Sequence, residues 1–264
     1  MSHHGHGSGL ASASKAHRIL RFVLVGSPNC GKTTLFNALT GLRAKTGNYP
    51  GVTVARYEGR HRVGEADVII EDLPGTYSLE AISPDEEVVS QVLGDGVSVG
   101  SPITGQIVLI DATSLRRSLT LLSHVQQVAR PTLVVLTFTD ELARRGGSID
   151  IKALSRAIGV RVIPIVAGDR AGVEELSEAL SSVDSWPAPI VPPPIGQSDV
   201  FSWSASVLEA AHYREADTDR RSRGIDRVLL HPLWGTLVFF ATMFAFFQII
   251  FTVAAPINDA FENF

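Results

Sequence analysis

Cysteine is nearly absent: Cys30 stands alone in 264 residues. No disulfide can form within the chain, and no Cys-rich structural zinc site can be built. The usage suits a reducing compartment. Charge is scarce as well, at 19% of residues, and neither sign dominates: 23 Lys and Arg against 27 Asp and Glu leave a net charge of −4. That balance argues against general nucleic-acid binding through a basic surface. The first 14 residues lack the continuous apolar stretch of a signal peptide, so none is expected ahead of the first strand. Apolar residues, by contrast, make up 45% of a chain long enough to bury a core, which excludes an intrinsically disordered protein.

The apolar excess is concentrated. Leu233–Ala255 is a run of 23 residues without Asp, Glu, Lys, Arg or His. As a helix it would span roughly 30 Å or more, enough for a bilayer core. Arg214, Arg220, Arg221, Arg223 and Arg227 precede it, and Asp259 and Glu262 follow. The positive-inside rule then places the N-terminal bulk in the cytoplasm.

Residues 1–16, with His3, His4 and His6, read as a disordered leader. Residues 17–184 alternate strands and helices. Strands are expected at Ile19–Val25, Val54–Val63 (an edge strand), Val68–Leu73, Gln106–Asp111, Thr132–Thr137 and Val160–Val166. Helices are expected at Lys32–Thr40, Pro84–Leu93, Leu115–Ala129, Ile151–Ile158 and Val173–Val183. Such repetition predicts an α/β fold with a mostly parallel sheet covered on both faces. Five prolines mark a linker at 185–198. A short helical, juxtamembrane segment at 199–231 follows, with its helix at Ser202–Glu215, then the membrane helix at 232–256 and a tail at 257–264.

The strongest motif is Gly26-Ser27-Pro28-Asn29-Cys30-Gly31-Lys32-Thr33, which matches GxxxxGK[ST] between a buried strand and a helix. Its glycines let the backbone wrap a phosphate, and the N–H groups at the helix start supply positive potential. Lys32 would reach the outer phosphates, and Thr33, with Thr34 beside it, lies where Mg²⁺ is ligated. Asp72-Leu73-Pro74-Gly75 fits DxxG at the end of the following buried strand. There Asp72 can hold Mg²⁺ through a water, and the Gly75 N–H can sense a third phosphate. Thr53 lies in the Gly/Pro-rich loop Gly47–Thr53, where its hydroxyl could complete the Mg²⁺ shell only with a third phosphate present. On spacing alone, Thr53 is equally an ordinary β-branched residue opening a strand. Asp140, after Leu136-Thr137-Phe138-Thr139, can accept two hydrogen bonds from a guanine edge or simply be a surface Asp.

The wording GSPNCGKTTLFNALTG, then GNYPGVTV, then DLPGTYSL closely resembles the cytosolic GTPase domain of the ferrous-iron transporter B (FeoB) family. RGIDRVLLHPLWG resembles that family's passage into its first membrane helix. The resemblance runs from Arg18 to the C-terminus and implies a Ras-like P-loop GTPase. It implies catalytic roles for Lys32, Thr53 and Gly75, Mg²⁺ at Thr33, Thr53 and Asp72, and guanine reading at Asp140. It also implies K⁺ beside the phosphates at Asn29, offsetting charge as an arginine finger does elsewhere.

The chain departs from the family pattern in places. Thr137 stands where Asn is usual and Phe138 replaces Lys or Met. The last base-contacting loop, Val166-Ala167-Gly168-Asp169, lacks a Ser-Ala pair. Thr76 follows Gly75 where a Gln would orient water, so slow intrinsic turnover is expected. One membrane helix cannot form an iron path, and Met243 inside it reads as packing. The remaining membrane segment, or a companion subunit, is therefore an expected partner. A homo-oligomer fits the family equally, and no nucleic-acid partner is expected. Membership implies the inner membrane, with a single pass in this chain. Two other readings stay open on the residues: a P-loop ATPase, and a GTP-sensing membrane adaptor that hydrolyses negligibly.

Overall fold

The computed structural model describes residues 19–64, 66–79, 83–98, 100–189, 191–217 and 229–254. The leader with its histidines, Arg220 to Arg227, residues 80–82, and everything after Ala254, including Asp259 and Glu262, lie outside them.

Seven strands form one sheet in the order β2-β3-β4-β1-β7-β8-β9: β1 (Ile19–Gly26), β2 (Ala44–Asn48), β3 (Ala55–Val63), β4 (Ala66–Asp72), β7 (Gly105–Asp111), β8 (Thr132–Thr137) and β9 (Val162–Ile165). A small hairpin pairs β5 (Val97–Ser98) with β6 (Ser101–Pro102). Only β2–β3 and β3–β4 pair antiparallel in the main sheet. Strands β1 and β8 are near-continuous runs of apolar residues because both faces of the parallel part are covered. On one face Phe22, Leu24, Ile107 and Leu109 pack against α1 (Lys32–Thr40) and α6 (Arg170–Ser181). The other carries α3 (Leu115–Val125), α5 (Ile151–Ile158) and α7 (Gln197–Ala210), with α7 packed on both of its neighbours. Helix α2 (Pro84–Asp95) opens with a reciprocal capping box between Ser83 and Glu86, and α4 (Thr139–Arg144) is a short turn after β8.

Chain order places the site. From β1 the chain builds β2 to β4 on one side, then crosses to β7 on the other side of β1. Loops leaving the carboxyl ends of β1 and its neighbours therefore diverge around a crevice, where α/β sheets bind ligands.

Several expectations are corrected. Val54–Val63 is not the edge: β3 is interior and β2 is the edge strand. The five residues of β2, AKTGN, are all exposed, so no hydrophobic alternation announces them. Gly47 and Asn48 belong to β2, which leaves 49–54 as the loop around Thr53. Helix α3 stops at Val125 rather than Ala129, ahead of Pro131. Helix α6 starts at Arg170 rather than Val173, because the Asp169 carboxylate caps it by accepting from the Ala171 N–H. Helix α7 occupies Gln197–Ala210 rather than Ser202–Glu215, and His212 just beyond it has φ 48°.

The first compact unit ends at Glu215. The expected linker is partly embedded in it. Trp186 stacks near Phe22 with ring centroids 5.5 Å apart and donates its indole N–H to the Ala179 carbonyl. Gln127 donates to the Pro193 carbonyl at 2.6 Å. In the second unit, α8 (Pro232–Ile249) continues through one π turn, Ile250–Ala254. His231 caps it, its Nδ1 accepting from the Leu233 and Trp234 N–H groups, and Pro232 takes the first helical position. Pro232–Thr252 is long and apolar enough to cross a membrane, and none of it is buried.

Helix α1, which carries the phosphate-loop lysine, is seated on β3 at Gly59. A Cβ there would sit 2.2 Å from Thr40 Cγ2 and 2.7 Å from Thr40 Cβ. Gly59→Ala is expected to lower unfolding stability by about 1–3 kcal/mol through overpacking, read as a drop in the denaturant midpoint with an unchanged slope.

Candidate functional site

The loop after β1 is shaped by backbone conformations that few residues adopt. Asn29 has φ 64° and Gly31 φ 94°, both left-handed. Gly26 is closed in: a Cβ would lie 2.6 Å from Cys30 Sγ and 3.1 Å from the Leu109 carbonyl. Ser27 and Cys30 are buried, and Pro28 and Asn29 are exposed. Burial pushes the Cys30 thiol up to about 11, against the opposing pull of Lys32. At the opening, Thr33 and Thr34 are exposed on the first turn of α1.

The loop after β4 meets this one face to face. Its Thr76 N–H donates to the Gly26 carbonyl at 3.1 Å. A Cβ on Gly75 would stand 3.1 Å from the Pro28 backbone, so only glycine fits without a shift. Lys32 Nζ donates to Asp72 Oδ1 at 2.6 Å and to the Leu73 carbonyl at 2.5 Å. Burial raises Asp72 above the usual carboxylate range, and Lys32 offsets only part of that. A cavity of about 390 Å³ is lined by Lys32, Thr53, Asp72 and Gly75, together with Tyr57 and Asp85. Four of the residues expected to handle phosphate and Mg²⁺ thus share one wall. Two hydroxyls, two carboxylates, an ammonium and a glycine backbone suit a metal-bound phosphate chain.

A second cavity, of about 490 Å³, is lined by Gly31, Thr34, Thr137, Phe138, Val166, Ala167 and Gly168 among others. It shares the α1 start with the phosphate loop. Asp169 closes its far loop, its N–H bonded to the Val166 carbonyl at 3.0 Å. Asp140 does not line this cavity. It is exposed on the first turn of α4.

Sequence reasoning missed three features. The Thr137 hydroxyl lies 2.9 Å from the Cys30 carbonyl and 3.2 Å from the Ile110 carbonyl, so it ties the phosphate loop to the ends of β7 and β8. A hydroxyl has one proton to share between the two carbonyls. Phe138 holds φ 58°, a strained value for an aromatic residue, and so lines the second cavity. Asp85 and Tyr57 join the phosphate-side wall. The capping sequence Ser83-Pro84-Asp85-Glu86 was the only signal for Asp85.

Comparison with known proteins decides the family. The model of the family described as "Ferrous iron transport protein B" matches residues 20–180. The chain belongs to this family. It is 40% identical over 163 residues to an Fe(2+) transporter FeoB of Leptospira biflexa, covering 62% of this chain and 23% of that protein. It is 30% identical over 249 residues to one of Synechocystis, covering 90% of this chain and 39% of that protein. It is 36% identical over 165 residues to an Fe(2+) transport protein A/FeoB fusion protein of Porphyromonas gingivalis, covering 62% of this chain and 19% of the fusion. The chain thus spans well under half the length of these relatives. Among solved structures, the cytosolic domain of Legionella pneumophila FeoB matches with TM-score 0.60 and 38% identity over 67% of this chain and 68% of that one. The fold is that of an FeoB G domain, with one apolar helix beyond it.

Thr137→Val should orphan the buried Cys30 carbonyl and cost about 1–3 kcal/mol, while Thr137→Ser should cost clearly less. Denaturant unfolding of the nucleotide-free chain reads both.

Proposed function

We propose that the chain is the GTP-hydrolysing regulatory head of a ferrous-iron uptake transporter, tethered to the membrane through α8. The observation that carries this is the cavity uniting Lys32, Thr53, Asp72 and Gly75 beside a second cavity of base-binding composition. The rest of the iron path would come from a longer chain or a companion subunit. Among the described residues no group of three or more His, Cys, Asp or Glu is arranged to hold a metal ion. The fusion relative supports a transport protein A as one such companion.

In this reading the Lys32–Asp72 contact opens when Mg·GTP enters. Lys32 would turn to the outer phosphates, and Asp72, Thr33 and Thr53 would hold Mg²⁺. The Gly75 N–H bonds the third phosphate. Asn29, which has the left-handed backbone conformation, would help hold a K⁺ beside the phosphates. Both cations, when bound, neutralise the charge that develops as water attacks. Val166 and Ala167 pack on the base, and Asp140 reads its edge as α4 closes on it.

In this reading no side chain at position 76 is presented to an attacking water. The Thr76 hydroxyl points into its own loop, bonded to the Ser78 carbonyl and 3.4 Å from Glu86 Oε1. That favours slow turnover, and it keeps a GTP-sensing adaptor as the second reading.

Phosphate release from GTP and from ATP, each measured in K⁺ and in Na⁺, tests the reading. GTP should be cleaved selectively and faster in K⁺. Tight GTP binding without release in either salt would favour the adaptor, and ATP cleavage would refute guanine reading by Asp140. Asp140→Asn should lower GTP affinity at least tenfold, about 1.4 kcal/mol, in favour of xanthosine triphosphate, as read by competition binding.

A further inference from the structure

Glu71 is fully buried, a place where a charge survives only if it is paired and hydrogen-bonded. Its carboxylate gathers groups from four separate segments. Tyr49 donates its hydroxyl to Oε1 at 2.8 Å, and Ser98 Oγ lies 2.7 and 2.6 Å from the two oxygens. Arg21 Nη1 donates to Oε2 at 3.2 Å. Arg56 Nε stands 3.2 Å from Oε1, at ion-pair distance, with no aligned hydrogen-bond acceptor of its own. Glu58 completes the cluster: Arg21 bonds it at 3.0 Å, and Arg56 bonds it as well.

Two of these partners bracket the loop that carries Thr53. Tyr49 opens the loop and is itself buried. Its N–H donates to the Val54 carbonyl at 3.1 Å, and its carbonyl accepts from the Val52 N–H at 3.3 Å. Arg56 follows two residues after Val54, on β3. Between these anchors Gly51 turns the chain at φ 82°. Gly51, Val52 and Thr53 are exposed, and the Thr53 hydroxyl has no hydrogen-bond partner among the described residues. The loop is therefore exposed in the middle and tied at both flanks to one carboxylate. Burial and the neighbouring Glu71 charge hold the Tyr49 phenol far above its usual range, so it remains a donor at every working pH.

We propose that Glu71 is a positioning residue for the first switch, pinning both flanks of loop 49–54 through Tyr49 and Arg56 and thereby setting how far Thr53 can reach. The inference rests on the reading that Thr53 joins Mg²⁺ only with a third phosphate. A pinned loop loses little further freedom when Thr53 closes, so triphosphate binding is favoured, whereas GDP, which does not call on Thr53, gains nothing.

The test is Tyr49→Phe in the full chain, which keeps the ring in its site and removes only the bond to Glu71. Two readouts are taken. In the nucleotide-free protein, amide exchange at Val52 is expected to rise about tenfold, and unchanged exchange overturns the pinning whatever nucleotide the protein prefers. In binding, affinity for a non-hydrolysable GTP analogue is expected to fall about five- to tenfold with GDP affinity within twofold of wild type. Equal loss of both nucleotides, or loss of neither, overturns the positioning role. Glu71→Gln should give the same triphosphate-selective loss, and Tyr49→Phe carries the test if that variant does not fold. A wild type that binds no GTP would refute the functional reading instead, leaving the exchange result to judge the pinning alone.

Discussion

Two stretches of backbone, the loop after β1 and the loop after β4, come closer than side chains ordinarily allow, and the mouth of the sheet depends on that approach. Gly75 faces Pro28 where a Cβ would crowd the backbone, and the Thr76 N–H reaches the Gly26 carbonyl. The approach exists because β1 and β4 are neighbours with Leu24 registered on Asp72. It brings Asp72 to Lys32. A side chain at Gly26 would strike Cys30 and Leu109 behind the loop, and one at Gly75, which lines the cavity, would strike the Pro28 backbone.

Around this contact the structure divides its labour by burial. Glu71 is fully buried, and its charged partners Arg21, Arg56 and Glu58 are mostly shielded around it. Against the cost of burial, Arg21 and then Arg56 keep Glu58 below its ordinary value. The residues proposed to meet a ligand, Thr33, Thr34 and Thr53, are exposed. Lys32 and Asp72 fall between these classes. They neutralise one another across 2.6 Å, yet each sits in the wall of the cavity.

Much of this was legible in the residues, and the parts that were not share a cause. The parallel strands announce themselves because both faces are buried, which leaves apolar runs such as TLVVLT. The phosphate loop is legible because its chemistry demands glycine, lysine and threonine at fixed spacing. Strand β2 was hidden because a fully exposed edge carries no hydrophobic pattern. With β2 unseen, β3 took its place as the expected edge. The start of α6 was misplaced by Gly172, which is buried against the Pro164 carbonyl and looks like a helix breaker in sequence. Thr137 and Tyr49 were underestimated for a different reason. Their roles depend on carbonyl and carboxylate partners far away in the chain, at Cys30 and Glu71, and no local pattern encodes such pairings.

The lone thiol has a practical corollary. Cys30 is packed at the back of the phosphate loop, and burial lifts its thiol to about 11. Burial disfavours the reactive thiolate at neutral pH and also shields the sulfur from reagents. Alkylating reagents should therefore pass the native protein by. A second cysteine engineered onto an exposed turn would then take up a spectroscopic label by itself, with the phosphate loop left in its natural sequence.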